Sequence, residues 1–387
     1  MTRALPVGRP GRARVSGMSL MEILVAMAIG LIGIVVITQT YIVNENYKRS
    51  TVSAGGAQTN GALALYSVER DVRMAGWGFA WSSVFGCNGV QWYYDSVGYS
   101  NPPGGPLPVL TPVPVRIVDG GAGPDSLTIM YGTTSERLMP ATLSKSMAAA
   151  GDSMEVDNAQ GFSTAPGDLV FVTQGTTCAM VQITGVTGGQ LEHLAGLNAP
   201  YNPASGGSLP AFSVNSLLFN MGRPVVNTYA INNGNLEVTS LFTSTSSTVV
   251  PTYTPTAQQI VANIVDLQAE YGKDNGLGNG TVEAASYSAD DGAVDSYDNV
   301  APTNEVEWRQ VLSVRIGVLA RSENYVRPDT PGGPCTATTA ANAPTWGNGL
   351  AFPALGDLTD TANPARCYGY RVFETVIPLR NMIWRQG

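Results

Sequence analysis

A single carboxylate, Glu22, interrupts an apolar run that extends from Met18 to Val43. An ionised acid inside a bilayer costs about 2.5 kcal/mol or more and usually marks a functional contact. Cleavage of the peptide bond after Gly17 would supply a partner, because the new amino group of Met18 would lie one helical turn from Glu22, in the same chain or in a neighbour. We therefore predict Gly17 and Met18 as a processing site and Glu22 as an assembly residue.

A second group of oxygen ligands lies in an acidic stretch of the chain. Asp274, Asp291 and Asp295 could contribute carboxylates to a calcium site, since Ca²⁺ takes about six to eight oxygen ligands. The regular EF-hand spacing is absent, and the alternative is a solvated loop in which Asp and Gly residues form turns. Calcium is the only cofactor that the sequence suggests.

The four cysteines are widely spaced and form no CxxC pair, which favours disulfides over a zinc site. Of the three possible connectivities we prefer Cys335–Cys367 with Cys87–Cys178, because each bond then closes a moderate loop. Free, buried cysteines are the alternative. The preferred pairing predicts an oxidising compartment.

Catalytic motifs are missing from the sequence. It contains no GxSxG element and no phosphate-binding loop, and His193 is the only histidine. A triad around His193 would need unidentified Ser and Asp partners, so a structural histidine is the simpler interpretation. We expect a protein that is not an enzyme.

The element that carries Glu22 is long enough to cross a membrane. As a helix, residues 18–43 would extend roughly 39 Å, against a hydrocarbon layer of about 30 Å. A secretory signal peptide would have a shorter apolar core, and a simple signal anchor leaves Glu22 without a role. The arginines before it (Arg3, Arg9, Arg12 and Arg14) predict a cytoplasmic N-terminus with the rest of the chain on the far side.

Composition predicts a loop-rich β domain after the helix. Only 13% of the residues are charged, while Gly (44) and Pro (25) are plentiful. The net charge of −8, without a clustered basic stripe, argues against nucleic-acid binding by this domain. Strands are predicted at 126–131, 168–173, 178–184, 311–320 and 370–377, with Pro378 at an edge or a strand end.

Two helical stretches are predicted besides the apolar run. Residues 44–75 continue the first helix, with one face formed by Leu63, Tyr66, Val68, Val72 and Ala75. Thr256-Ala-Gln-Gln259 has the form of a capping box, and apolar residues follow at helical spacing until Gly272 (Ile260, Ile264, Leu267 and Tyr271). We expect this second helix to cover the sheet.

Several segments resemble proteins of the type IV pilus. Gly17-Met18-Ser-Leu-Met-Glu22 resembles the class III signal of type IV prepilins, in which a prepilin peptidase cuts after the glycine and methylates the new N-terminus. These families usually have Phe where Met18 stands. The stretch from Ser67 to Gly76 is similar to the "RDLRMAG" signature of PilW-like minor pilins, which implies that Arg70, Asp71, Arg73 and Gly76 close the helix against the head.

Two more segments are similar to PilW-like proteins. One is the order Tyr271-Gly-Lys-Asp274, Asp291-Gly-Ala-Val-Asp295-Ser-Tyr297 and Trp308; the other is the C-terminal run from Tyr370 to Asn381. The resemblance implies an α+β fold of type IV pilin kind, with a long N-terminal transmembrane helix and a mainly antiparallel β-sheet head bearing one covering helix. The implied divisions are a leader (1–17), an apolar assembly helix (18–43), its polar continuation (44–75) and an extracytoplasmic head (76–387).

The resemblance also implies a function, a set of partners and a location. The chain would be a minor pilin that is inserted in the inner membrane with its head in the periplasm, cleaved, and packed through its helix into the pilus or a tip complex at the cell surface. Its partners would be prepilin peptidase, the major pilin, other minor pilins, the inner-membrane assembly platform and lipid, and not nucleic acid. A type II secretion pseudopilin and a membrane-anchored or pilus-tip adhesin are the alternatives.

Overall fold

The computed structural model describes residues 17–79, 82–95, 97–99, 105–196, 198–204, 208–243, 250–274, 292–326 and 332–383. The chain divides into two compact units, Met1–Ser53 and Ala54–Gly387. The first contains the N-terminal part of a long helix. The second contains the end of that helix and all the strands, and is called the head below.

The long helix, α1, spans Leu20–Met74. By length and composition it contains a stretch that could cross a membrane, and none of that stretch is buried against the described chain. Ile, Val and Leu are the commonest residues of this stretch, and its large side chains lie exposed. Two short helices, α2 (Glu305–Arg309) and α3 (Arg380–Ile383), lie in the head, together with 3₁₀ turns at Ser82–Gly86, Ala340–Asn342, Pro353–Leu355 and Pro364–Cys367.

The strands of the described head follow one another between glycine- and proline-containing turns. In chain order they are β1 (Trp92–Tyr94), β2 (Val97–Tyr99), β3 (Val115–Val118), β4 (Ser126–Tyr131), β5 (Ala141–Thr142), β6 (Met154–Glu155), β7 (Leu169–Gln174), β8 (Thr177–Gln182), β9 (Gly185–Thr187), β10 (Gln190–Glu192), β11 (Leu217–Gly222), β12 (Val225–Asn232), β13 (Asn235–Thr243), β14 (Thr252–Ala262), β15 (Ile264–Lys273), β16 (Ser296–Asp298), β17 (Val311–Arg321), β18 (Thr345–Trp346), β19 (Leu350–Ala351) and β20 (Tyr370–Pro378).

Three antiparallel sheets form most of the head. Their strand orders are β14-β13-β12-β4-β3, β16-β15-β17-β20 and β5-β11-β7-β8. Three small sheets have the orders β1-β2, β6-β10-β9 and β18-β19. The main core joins the head-facing side of α1 to the first two sheets and to one face of the third, and it includes Val68, Val72, Phe171, Tyr229 and Val314. Separate apolar clusters lie on the third sheet and around Trp346.

The predicted order of a long helix followed by an antiparallel β head is confirmed. The hairpin predicted at 168–184 is β7 and β8, which pair from Leu169↔Gln182 to Gln174↔Thr177. The last predicted strand is β20, an edge strand whose final residue is Pro378. Edge strands and strand ends are the positions where proline costs no ladder hydrogen bond.

The helix predicted at Thr256–Tyr271 is wrong. These residues form β14 and β15, and the chain turns between them at Asn263, whose φ of 59° is a left-handed conformation that Asn tolerates. The pairing of β15 with β17 is irregular near Asp266. Leu267 and Tyr271 follow this irregularity, lie two strand periods apart on the same face of β15, and are both buried. Burial between neighbouring strands therefore outweighed the local helical spacing. The helix that covers the sheets is instead the head-proximal part of α1.

The predicted inner face of α1 is correct in part. Val68, Val72 and Ala75 are buried, but Leu63 and Tyr66 are 51% and 63% exposed. Small residues take their place toward the sheet, because the sheet approaches the helix closely there: a Cβ on Gly61 would overlap the ring of Phe373.

The four cysteines form two disulfides. Cys87 is joined to Cys178 across two distant parts of the head, and Cys335 is joined to Cys367 in the segment before β20. This is the pairing preferred from the sequence. Each bond closes a loop whose conformational freedom in the unfolded chain is thereby reduced, an effect worth about 2–4 kcal/mol in typical proteins.

Candidate functional site

The predicted processing segment, residues 17–22, lies at the start of α1. Gly17, Met18 and Ser19 are exposed and precede the helix, which begins at Leu20. The Ser19 N–H donates to Glu22 Oε2 at 3.2 Å, and the Met21 N–H donates to Ser19 Oγ at 3.2 Å. This reciprocal pair is a variant of the capping box in which the Ser19 hydroxyl accepts from the second N–H of the helix instead of the third, and it satisfies two of the free N–H groups at the helix start.

The capping box gives Glu22 a contact that our sequence reasoning missed. Its signal was present as Ser19-x-x-Glu22, the spacing of Ser and Glu that marks helix N-termini. In the intact chain the Met18 nitrogen belongs to a peptide bond, so the ion pair between the Met18 amine and Glu22 requires cleavage and stays a prediction.

Further along, Gly30 and Gly33 have no described atom within 4 Å of an added Cβ, so neighbouring helices could approach closely there.

The second site is the helix–head junction, formed by Asp71, Gly76, Tyr131, Asn227, Tyr229 and Asn381. Asp71 is 1% exposed, and its Oδ2 accepts hydrogen bonds from Tyr229 Oη and Asn227 Nδ2, both at 2.7 Å. Its Oδ1 faces the exposed Arg70, whose Nε lies 3.3 Å away. A buried charge needs such partners, so Asp71 holds α1 to β12 through charge-assisted hydrogen bonds.

The electrostatics of the junction follow from burial around one carboxylate. Burial, and then the charge of Asp71, raise the pKa of Tyr131 to about 12, and the same two causes raise the pKa of Tyr229. Both phenols therefore stay protonated in the folded head at neutral pH. A protonated phenol is the form in which Tyr229 can donate to Asp71.

The C-terminal end of α1 is held by two other elements. Gly76 has a left-handed φ of 78°, typical of a residue that ends a helix, and its N–H donates to Met130 O of β4 at 3.0 Å. Asn381 of α3 donates from Nδ2 to Met74 O and Ala75 O, at 3.2 and 3.0 Å. The amide thus satisfies carbonyls that a helix end leaves without an intrahelical partner.

The structure brings together two of the PilW-like segments that are distant in sequence. Asp71 and Gly76 of the first segment and Asn381 of the last form parts of the junction. Arg70 and Arg73 lie on the exposed side of the helix, where Arg73 pairs with Glu69. Nothing local in the sequence indicates that Tyr229 and Asn227 cover Asp71, because both are more than 150 residues away along the chain.

The described residues of the remaining PilW-like segment, between Tyr271 and Trp308, also make contacts that hold the head together. Tyr271 is fully buried, accepts a hydrogen bond from the Ile117 N–H at 2.7 Å, and meets the ring of Trp308 edge to face at 5.8 Å. Tyr297 lies opposite Gly272 in the pairing of β15 with β16. Its ring packs 4.3 Å from the guanidinium of Arg315, which forms an ion pair with Glu270. These residues fix β15, β16 and β17 to one another.

The predicted calcium ligands are placed only in part. Asp274 is buried, and its Oδ2 accepts a hydrogen bond from the Gly292 N–H at 2.7 Å. The backbone N–H of Asp295 donates to Lys273 O at 2.8 Å. Asp291 lies outside the described residues. In the part of the chain that the structure describes, no group of three or more His, Cys, Asp or Glu side chains could hold a metal ion. Calcium binding stays a prediction.

His193 lies buried in the head beside a backbone carbonyl. Its Nε2 is 2.9 Å from Asp152 O, so this nitrogen carries the proton and donates. Burial lowers the pKa of His193 below its usual 6.5. The neutral ring is held in the structural role that the sequence suggested.

Comparisons with known proteins give one family match, which lies in the C-terminal part of the chain. Residues 228–381 match the sequence model of the PilW family, described as Type IV Pilus-assembly protein W. No curated protein matches the chain. A type IV-like pilin from Thermus thermophilus matches in structure with 12% identity and a TM-score of 0.23, covering 57% of this chain and 89% of that one. A TM-score this low does not establish a shared fold. The matched region covers less than half of the chain and runs from Thr228 in β12 to Asn381 in α3.

Proposed function

We propose that the chain is a minor pilin that takes part in assembly or initiation of a type IV pilus. It is inserted in the inner membrane with its head in the periplasm and cleaved after Gly17 by prepilin peptidase. The mature chain then packs through α1 into the pilus or its tip complex. The role is structural rather than catalytic, in keeping with the pilus-assembly family that residues 228–381 match.

The observation that carries the proposal is the apolar part of α1. Its large side chains are exposed from Leu20 to Val43, and Glu22 is the only charged residue among them. Burying one such side chain contributes about 1.5–3 kcal/mol, so a helix of this kind in water would be strongly unfavourable. Lipid before assembly, and the helices of other pilins afterwards, are the surroundings that fit it.

Each residue of the processing segment has a role in this proposal. Gly17 precedes the scissile bond, Met18 becomes the new N-terminus, and the Glu22 carboxylate attracts a liberated amine in an apolar environment. The partners of the chain in this proposal are prepilin peptidase, the major pilin, other minor pilins and the inner-membrane assembly platform.

A deletion strain tests the proposal against its nearest competitor. Loss of surface pili and of twitching, with protein secretion intact, is the expected result. Loss of secretion with normal pili would instead identify a type II secretion pseudopilin, which shares the processing signal and the apolar helix. The family match to a pilus-assembly protein favours the first outcome.

Calcium binding by Asp274, Asp291 and Asp295 is a separate proposal. Carboxylate oxygens suit Ca²⁺, and Asp274 is already held in place by the Gly292 N–H. Calorimetric titration of the purified chain with CaCl₂ should give binding heat and a rise in melting temperature. Neither effect would be seen if the segment is only an acidic loop.

A further inference from the structure

The outer edge of β20 is a regular, unpaired strand edge. β20 pairs with β17 through nine consecutive residue pairs, from Ser313↔Pro378 to Arg321↔Tyr370, without a bulge. It is the last strand of its sheet, so its other side has no strand partner among the described residues. Edge strands are usually blunted by bulges, by charge or by short length, because their free N–H and C=O groups are a template for another strand.

Hydrogen bonds at both ends of the ladder determine which residues face outward. The Leu379 N–H donates to Leu312 O, and the Ser322 N–H donates to Gly369 O, both at 2.8 Å. Odd-numbered residues of β20 therefore bond to β17, since in an antiparallel ladder alternate residues bond to the same neighbour. The backbone groups that face away from β17 belong to Tyr370, Val372, Glu374 and Val376, and in the described part of the chain no hydrogen-bond partner meets them.

The side chains along this edge define the kind of strand that would fit. Val376 is 47% exposed, and Arg371 is exposed without an ion pair to any described residue. Glu374 on the same strand is exposed too, and its Oε2 accepts from the Gly347 N–H, so the edge favours a strand with an acidic residue opposite Arg371 and no acid opposite Glu374. The edge also flanks α1, because Phe373 packs on Gly61.

We infer that β20 is a docking edge for an extended strand of a neighbouring pilin-like subunit, which places an acidic residue opposite Arg371 and continues the β16-β15-β17-β20 sheet across the contact. The inference rests on the proposed function, because α1 is the element through which subunits pack and the β20 edge lies beside it. Only an extended segment can satisfy a row of alternating backbone donors and acceptors, so the surface itself selects a strand as its partner.

A proline substitution separates a backbone ladder from a side-chain contact. Val376→Pro removes one outward N–H and leaves the β17 ladder intact, and Pro378 already occupies an outward position of the same strand. Val376→Ala trims the side chain and keeps the N–H. Both variants are expressed as full-length chains in a deletion strain, and the chain is quantified in sheared surface fibres.

We expect Val376→Pro to reduce incorporation by about ten-fold and Val376→Ala to retain at least about half of it, with both variants melting near the parent temperature. Incorporation of Val376→Pro at the parent level overturns the inference, and so does an equal loss with Val376→Ala. If Val376→Pro melts at a lower temperature than the parent, hydrogen exchange of the parent chain is measured instead, in fibres and in detergent. Slower exchange of the Val372, Glu374 and Val376 amides in fibres than in the detergent-solubilised chain supports the ladder. Equal exchange in the two states overturns it. A parent chain that is absent from fibres overturns the proposed function itself.

Discussion

At the scale of the residue, Glu22 has two separable tasks. In the intact chain its carboxylate accepts the Ser19 N–H, and in the assembled state we propose that it also pairs with a free amine. Glu22→Gln keeps an oxygen that can complete the capping box and loses the charge, whereas Ser19→Ala weakens the cap by about 1 kcal/mol and keeps the charge. We expect Glu22→Gln to lower fibre incorporation strongly and Ser19→Ala to lower it weakly.

Quantitative blotting of membranes and sheared fibres measures both effects. Membrane levels should stay close to those of the parent, since insertion depends on the apolar run and not on Glu22. Equal losses for the two variants would mean that the cap, and not the charge, is what assembly requires.

Asp71 is the residue on which the junction depends. Asp71→Ala would leave Tyr229 Oη and Asn227 Nδ2 buried without their shared acceptor, which should cost about 2–4 kcal/mol. Arg70→Ala removes only an exposed partner and should cost less than about 0.5 kcal/mol. Denaturant unfolding of the purified chain compares the two, and a similar small loss for both would contradict the assigned role of Asp71.

His193 gives the head a pH dependence that can be measured on one resonance. Its pKa is lowered by burial, so the unfolded chain takes up the proton first as the pH falls. The stability due to the neutral ring is present above about pH 6.5 and is lost as the pH falls through the lower pKa of the folded state. Because His193 is the only histidine, NMR titration of its ring protons should give a single pKa below 6.5, and a value at or above 6.5 would be contrary to its burial.

At the scale of the element, two glycines of α1 should respond in opposite ways to the same change. Gly61→Ala places a methyl group against the ring of Phe373 and should destabilise the head by about 1–3 kcal/mol. Gly55→Ala meets no described atom within 4 Å and should stabilise the helix by about 0.5–1 kcal/mol. Thermal unfolding measured in parallel compares them, and equal shifts would show that the sheet does not approach α1 at Gly61.

The elements that the sequence predicted well are those whose pattern matches their burial. The strands β7, β8 and β17 are apolar runs that the fold buries along almost their whole length, and each was predicted as a strand. The helix expected at Thr256–Tyr271 failed because Ile264, Leu267 and Tyr271 fit both a helical spacing and a strand interrupted near Asp266. Only pairing with β17, which is distant in sequence, decides between the two.

The residues of the candidate sites likewise differ in whether the sequence alone could identify them. Glu22 was identified because a lone acid in an apolar run is visible in the sequence. The amide contacts of Asn381 to the end of α1 were not, since 306 and 307 residues separate the partners. Such contacts depend on topology, which local periodicity does not encode.

At the scale of the whole molecule, the two units of the chain differ in what they bury. In the first unit, the large apolar side chains of the described residues lie exposed, whereas the head buries a large apolar core and contains two disulfides. This difference is what the proposed pilin role requires, since the exposed apolar helix needs lipid or other helices around it and the head does not.

The N-terminal mass of the chain recovered from sheared surface fibres shows whether Met18 supplies a free amine for Glu22. Cleavage after Gly17 predicts a peptide that begins at Met18, with or without one added methyl group. Recovery of the chain from fibres with Met1 or any other residue at its N-terminus would contradict it, and so would its absence from fibres that assemble normally.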